Sequence, residues 1–120
     1  MLAWKVFPLI PQPTVAAICA DTAATVSAAG TTQGTATELT AADNEVSTVA
    51  AGAGVVLSSQ LAPGDTQTVF NSGANPLKVY PPSGKKMNNL TANVAMTLAT
   101  NTGCLYKCIS TTRVFGVLSA

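Results

Sequence analysis

The sequence contains no histidine, and only 9% of its 120 residues are charged. Without histidine, Ser-His and Cys-His catalysis and most zinc sites are excluded. Six basic and five acidic residues nearly cancel, and a net charge of +1 is too small for the phosphate neutralisation that drives nucleic-acid binding. Disorder needs low hydrophobicity and high net charge, whereas 48% of this chain is hydrophobic. The composition leaves a small binding or structural domain.

Cysteine is also scarce. Cys19, Cys104 and Cys108 form an odd set without the density of a secreted disulfide scaffold. On a strand, Cys104 and Cys108 would share one face about 13 Å apart, at ~3.3 Å per residue, which is beyond the roughly 7 Å that a disulfide spans. We expect buried, reduced, structural cysteines, consistent with assembly in a cytosol, and neither a metal nor a cofactor.

The sequence has no apolar run long enough to cross a bilayer. Three prolines, Pro8, Pro11 and Pro13, interrupt its apolar start, and the following run Val15–Ala20 is too short to span a membrane. We therefore expect no membrane partner.

The small polar residues replace charge on the surface. Alanine, threonine and serine make up more than a third of the chain, and a Thr-, Ser- and Asn-rich surface repels neighbouring molecules weakly. The few charges are also unevenly distributed: all five acids lie in residues 1–77 with one base, and the other five bases lie in residues 78–120. This composition favours association with other copies or with partners, although an ordinary β-domain with a Thr-rich solvated face would also fit.

The chain beyond residue 30 alternates short β-like runs with turn residues and shows no internal repeat. The clearest period-two pattern is Leu90–Ala99, where Leu90, Val94 and Leu98 share one parity, so this segment is predicted to be a half-buried strand. The other predicted strands are Thr35–Leu39, Glu45–Ala50, Val55–Ser59, Thr66–Asn71, Leu77–Tyr80, Gly103–Ser110 and Arg113–Leu118.

About eight strands, spaced by turn clusters such as Pro63–Gly64, predict an all-β fold. We expect an antiparallel β-sandwich of jelly-roll type, since the Cys–Trp–Cys core of antibody domains is absent. The predicted organisation is an extended N-terminal arm and lead-in at residues 1–30 and a β-sandwich domain at 31–120. The segment Thr14–Ala29 fits either a short helix or a strand.

Few residues suggest chemistry. Asp43 and Glu45 are the only closely spaced acids, and a solvated loop-to-strand junction explains them better than a glycosidase pair. The pair Lys85–Lys86 lacks the aromatic series of a nucleic-acid site, because Phe70 and Tyr80 stand alone and fit core or turn packing. The sequence therefore predicts no catalytic residues, no enzyme activity and no nucleic-acid partner.

The N-terminal arm, Met1–Pro13, is the candidate contact surface. Its prolines favour an extended path, and its apolar side chains release about 10–15 kcal/mol on burial, against an ordering cost on the order of 13–20 kcal/mol. The arm therefore needs main-chain hydrogen bonds or a neighbouring molecule, and strand addition to a partner's sheet edge supplies both. The alternative is that it folds back as an edge strand of its own sandwich. The candidate contact residues are Leu2, Trp4, Val6, Phe7, Leu9 and Ile10.

Residues 31–120 contain a set of distinctive turn motifs. The most specific are the two turns Asn71-Ser72-Gly73-Ala74-Asn75 and Val79-Tyr80-Pro81. The other characteristic stretches are Thr31-Thr32-Gln33, Leu39-Thr40-Ala41-Ala42, Asn44-Glu45-Val46, Thr48-Val49-Ala50-Ala51-Gly52, Val69-Phe70 and Pro76-Leu77-Lys78, followed by Pro82-Ser83-Gly84. In these motifs, residues 31–120 resemble small β-rich virion proteins of tailed bacteriophages. These are mainly turn motifs, so they indicate fold more than role.

The resemblance implies a capsid decoration (cement) protein. Such a structural protein lies on the capsid exterior of the virion, performs no chemistry, and bridges neighbouring subunits of the major capsid protein to stabilise the shell. Its expected partners are that shell protein and itself, as a homodimer or homotrimer. The alternative function is a β-rich tail-fibre or head-spike domain involved in host attachment, which predicts a groove lined by exposed aromatic residues.

Overall fold

The structure of the chain, a computed structural model, describes residues 23–119. These residues form two β-sheets and no helix. The ten strands are β1 (Ala23–Ser27), β2 (Thr37–Glu38), β3 (Asp43–Thr48), β4 (Gly54–Val56), β5 (Thr66–Asn71), β6 (Leu77–Tyr80), β7 (Lys86–Met87), β8 (Met96–Leu98), β9 (Thr102–Cys108) and β10 (Arg113–Leu118). One sheet has the order β1-β3-β5-β9-β10-β7, and the other has the order β2-β4-β6-β8.

The first six strands coil between the two sheets. Strands β1, β3 and β5 pair in parallel in the six-stranded sheet, and β2, β4 and β6 pair in parallel in the four-stranded sheet. The chain therefore crosses from one sheet to the other at every connection and returns beside its previous pass after roughly 20–25 residues. This arrangement is a short, solenoid-like stack of three coils.

The last four strands complete both sheets in mixed orientation. Strand β8 pairs antiparallel with β6, and β9 pairs antiparallel with both β5 and β10. The short strand β7 closes the far edge of the larger sheet by parallel pairing with β10. The β9–β10 hairpin therefore extends the parallel coil sideways and gives the larger sheet its width.

The core lies between the two sheets and is built mainly from aliphatic side chains. Valines on successive strands face inward, because period-two alternation puts every second residue on the same face. Tyr106 is the largest fully buried side chain, and it lies on β9 between the buried Cys104 and Cys108. The two described cysteines are thus buried and free, as predicted, while Cys19 lies outside the described residues.

The prediction of an all-β class is confirmed, but the strand arrangement differs from an antiparallel jelly roll. Period two identifies a strand and carries no information on its direction. A turn cluster such as Pro63–Gly64 fits a corner between two sheets as well as a connection between antiparallel strands. The coils also differ in length, with Ala23 aligned to Asp43 and Asp43 aligned to Thr68, so the sequence shows no fixed repeat. A parallel coil was therefore missed.

The predicted strand Leu90–Ala99 is wrong over most of its length, since only Met96–Leu98 forms a strand. Asn93 adopts a left-handed backbone conformation, with φ 67°. Its side-chain oxygen accepts a hydrogen bond from the Gly84 N–H at 2.7 Å, and its own N–H donates to the Lys85 carbonyl at 2.9 Å. These bonds fix a loop, so the apolar alternation before Met96 does not reflect a sheet.

Three predicted strands coincide with the structure: Thr66–Asn71, Leu77–Tyr80 and Arg113–Leu118. The undecided segment Thr14–Ala29 contains β1 in its described part, so that part is a strand. The described fold thus begins before residue 31, where the sequence placed the start of the β-domain.

Candidate functional site: an exposed face of the larger sheet

The predicted contact residues of the arm lie outside the described residues. These are Leu2, Trp4, Val6, Phe7, Leu9 and Ile10, all of which precede Ala23. The described chain offers a different surface, formed by the side chains of the six-stranded sheet that point away from the core. We call this surface the sheet face.

The centre of the sheet face is apolar. Phe70 on β5, Leu105 on β9, and Phe115 and Val117 on β10 are 42%, 43%, 48% and 55% exposed. The register places Leu105 between Thr68 and Val117 on the neighbouring strands, and Phe70 beside Gly103. A Cβ added to Gly103 would lie 3.4 Å from Cδ1 of the Phe70 ring, so the ring lies against the bare backbone there. Large apolar side chains on adjacent strands thus form one contiguous surface patch.

The sequence interpretation of Phe70 as core or turn packing is wrong, whereas that of Tyr80 is confirmed. Tyr80 is 8% exposed, and its hydroxyl donates to the Thr31 carbonyl at 2.9 Å. The exposed patch had a signal in the sequence. Strand β10 reads Arg-Val-Phe-Gly-Val-Leu, which is apolar on both parities, and a strand with two apolar faces needs a cover on each.

The two sides of the sheet face carry opposite charges. Asp43 and Glu45 point outward from β3, on one side of the apolar centre. On the other side, Lys107 lies on β9, Arg113 on β10 and Lys86 on β7, and the register places Arg113 directly beside Lys86. The face therefore runs from an acidic side through an apolar centre to a basic side.

A groove of about 730 Å³ opens on the acidic half of this face. Its walls come from β1, β3, β5, β9 and β10, and they include Phe70, Leu105 and Val117 together with Asp43 and Glu45. Both carboxylates are held by neighbouring hydroxyls: Asp43 accepts from Thr68 Oγ1, and Glu45 accepts from Ser72 Oγ at 2.8 Å. Both acids are exposed, which is the solvated arrangement expected from the sequence.

The chemically reactive groups of β9 lie on the opposite, buried side of the strand. Burial raises the pKa of the Cys104 thiol, against the smaller lowering effect of hydrogen bonds from Tyr106 and the backbone at Val117. Burial also raises the pKa of the Tyr106 phenol well above its ordinary value, with a further contribution from Cys104. Both groups stay protonated and neutral at physiological pH, which suits packing rather than nucleophilic attack.

The lysine pair of the sequence is split between two environments. Lys85 Nζ donates to the Thr111 carbonyl at 3.2 Å, whereas Lys86 is exposed on β7. Within residues 23–119 there is no group of three or more acidic or cysteine side chains placed to hold a metal ion. In the same part of the chain, no helix has the length and apolarity needed to cross a membrane.

Comparison with protein-family models, with curated proteins and with solved structures finds no match to this chain in any of the three. The sheet face is therefore interpreted from its own chemistry. An exposed apolar patch between opposite charges is typical of a surface that contacts another protein.

Proposed function

We propose that this protein is a structural component of a tailed-phage virion, which binds the outside of the capsid and bridges neighbouring major capsid protein subunits. The observation that carries the proposal is the exposed apolar centre of the sheet face, formed by Phe70, Leu105, Phe115 and Val117. Monomeric soluble proteins rarely leave a large contiguous apolar patch in water, and such patches mark interaction sites. A role in adhesion accounts for this surface.

The step from protein binding to a capsid depends on the sequence resemblance of residues 31–120. Its most specific turn, Asn71–Asn75, has a structural role in this fold. The Asn71 side chain donates to the carbonyls of Asn75 and Leu98 at 2.9 and 3.0 Å and accepts from the Gly73 N–H at 2.9 Å. The motif therefore builds a corner of this fold, and the decoration role is our proposal from the resemblance.

In this proposal the N-terminal arm binds the shell. A chain that meets the described fold at the edge strand β1 can extend away from the sheets, and an apolar arm that includes Trp4 gains most when a shell groove or sheet edge covers it. Many symmetry-related copies on one capsid let modest contacts act together.

The test uses shells freed of this chain and the recombinant full-length protein. Removal of residues 1–13, or Trp4→Ala, is expected to lower shell binding in co-sedimentation at least tenfold, while circular dichroism still reports the β-fold. Val94→Ala is the matched control, because Val94 is 43% exposed on a loop outside the sheet face and the arm. If the truncated protein binds shells as tightly as the full chain, the arm does not form the contact.

A second candidate function, host attachment through glycans, is favoured by one observation. The groove places the exposed Phe70 ring near the carboxylates of Asp43 and Glu45, a combination of stacking and hydrogen-bonding groups that suits a sugar. Binding to a glycan array that is lost on Phe70→Ala, with shell binding unchanged, would favour this function over capsid decoration.

A further inference from the structure

We propose that the sheet face is the interface between two copies of this chain, related by a two-fold axis that lies in the plane of the interface. A self-complementary surface must offer the same patch from both copies, so each feature on one side of the axis needs its complement on the other side. The sheet face meets this condition in its charges and in its aromatic residues.

The register fixes where the charges lie. Strands are about 4.8 Å apart, and residues two apart on a strand are about 6.7 Å apart. Outward-facing residues that are paired across the strands form one row of this grid, and successive rows are two residues apart. Glu45 on β3 lies in the same row as Phe70. Arg113 on β10 lies three strands away from β3 and three rows away from Glu45. An axis that runs diagonally over β5 and β9, past Leu105, brings Glu45 of one copy opposite Arg113 of the other.

The same axis also pairs the remaining features. Asp43 of one copy comes opposite the space between Lys107 and Arg113 of the other, and Phe70 comes opposite Phe115, while Leu105 lies close to the axis and meets its own counterpart. One placement thus satisfies both acids and covers the whole apolar centre. In this placement the strands of the two copies cross at roughly 70°, which is closer to orthogonal than to aligned packing of sheets.

The size of the face sets the strength of the contact. Its six strands cover a rectangle of roughly 24 by 20 Å, so each copy would bury on the order of 500–600 Å². This lies at the lower end of specific protein–protein interfaces. We therefore expect a dimer that dissociates with a constant on the order of 1–100 µM and weakens at high salt.

Dimerisation would explain how one small chain bridges two shell subunits, since each dimer carries two arms. Only this consequence rests on the proposed function. The pairing itself is measured on the isolated chain without shells, so a failure of shell binding and a failure of dimerisation are separate results.

The first test is sedimentation equilibrium of the full chain from about 1 to about 500 µM. The wild type is expected to change from monomer to dimer over this range. Leu105→Asp puts a charge at the axis and is expected to weaken the dimer at least tenfold, whereas the control Val94→Asp should leave it unchanged. A wild type that stays monomeric throughout, or a dimer that survives Leu105→Asp, overturns the proposal.

The second test exchanges the charges. Glu45→Lys and Arg113→Glu should each weaken the homodimer, since each places like charges opposite one another twice. A mixture of the two variants should form heterodimers, because every pair is then opposite in sign. Both substitutions are at the surface, and circular dichroism checks that each variant is folded. If the mixture remains as monomeric as its components, the proposed axis is wrong.

A third test asks whether the sheet face is covered by a second copy of the chain or by the chain's own N-terminal arm. If the arm covered this face, the full chain would be monomeric and removal of residues 1–13 would create the dimer, which would overturn the proposal. If the proposal is right, the truncated chain dimerises with the same constant as the full chain.

Discussion

Gln67 is only 1% exposed, and both halves of its side-chain amide are bonded to the main chain. Its oxygen accepts from the Ser58 N–H at 2.9 Å, and its nitrogen donates to the carbonyls of Leu39 and Ala41 at 3.2 and 2.8 Å. Two irregular segments, the β2–β3 and β4–β5 connections, thus meet at one side chain. Since unpaired buried polar groups are costly, such amides stabilise the corners of the coil.

Replacement of this amide tests its role. Gln67→Leu keeps the size of the side chain and leaves the Ser58 N–H and the Leu39 carbonyl without the Gln67 amide, while the Ala41 carbonyl keeps its bond from Asn44. The free energy of unfolding is therefore expected to fall by about 2–4 kcal/mol. Urea denaturation measures it. Gln60→Leu is the control at an exposed site, where a change within about 0.5 kcal/mol is expected. Equal effects at the two sites would show that the Gln67 network contributes nothing.

The buried Tyr106 and Cys104 predict a loss of stability in alkali. The folded protein raises the pKa of both groups above their ordinary values of 10.0 and 9.0, because burial disfavours the charged forms. Their contribution is therefore fully present below pH 9, and it is lost as the pH rises above that value, since unfolding then releases protons. Denaturant unfolding between pH 7 and pH 11 measures the effect. In Tyr106→Phe the decline above pH 10 should be smaller, and an unchanged decline would contradict this assignment.

At the scale of elements, the two strands of the β9–β10 hairpin pack against each other through a site without a side chain. Gly116 lies on β10 directly across from Tyr106 on β9. A Cβ added there would lie 3.0 Å from both the Cys104 sulfur and the Tyr106 ring. The hairpin can therefore cover this ring only because residue 116 is glycine.

Substitution of Gly116 is expected to loosen this packing. Gly116→Ala should destabilise the fold by about 1–3 kcal/mol, because the added methyl group forces the ring or the sulfur to move. Gly103→Ala is the matched control on the neighbouring strand, since its new Cβ would meet no atom closer than Cδ1 of Phe70 at 3.4 Å, an ordinary van der Waals distance. Thermal unfolding of both variants measures the difference. An equal loss in the two would indicate a general strand effect of glycine.

Local sequence patterns predict single strands and turns, but they do not predict how the strands pair. Local alternation identified Thr66–Asn71 and Arg113–Leu118, and turn chemistry identified Pro63–Gly64, where Gly64 has φ 97° and the Asp65 N–H donates to the Ala62 carbonyl. Strand direction and sheet membership depend on long-range pairing, so the parallel coil was missed.

The candidate site divides in the same way. The arm stays a prediction, because its residues lie outside the described part of the chain. The sheet face was missed because the exposure of Phe70 depends on which strands lie beside β5, and a single sequence carries no such pairing information.

At the scale of the whole molecule, the acidic and basic residues that are separated along the chain are also separated across the sheet face. The acids of the sheet face come from β3 in the coil, and its bases come from β7, β9 and β10 near the end of the chain. Because these groups of strands occupy opposite halves of one sheet, the asymmetry noted in the sequence reappears across a single surface. The molecule therefore has an apolar centre between unlike charges, a form suited to pairing and to assembly in many copies.

The most direct test of the account is the content and surface of purified phage particles. Quantitative mass spectrometry is expected to find this chain in a fixed ratio to the major capsid protein, and electron microscopy to find it on the outer surface, over the junctions between shell subunits. Particles whose shells lack the chain, or that carry it only at the tail, would contradict a role in capsid decoration.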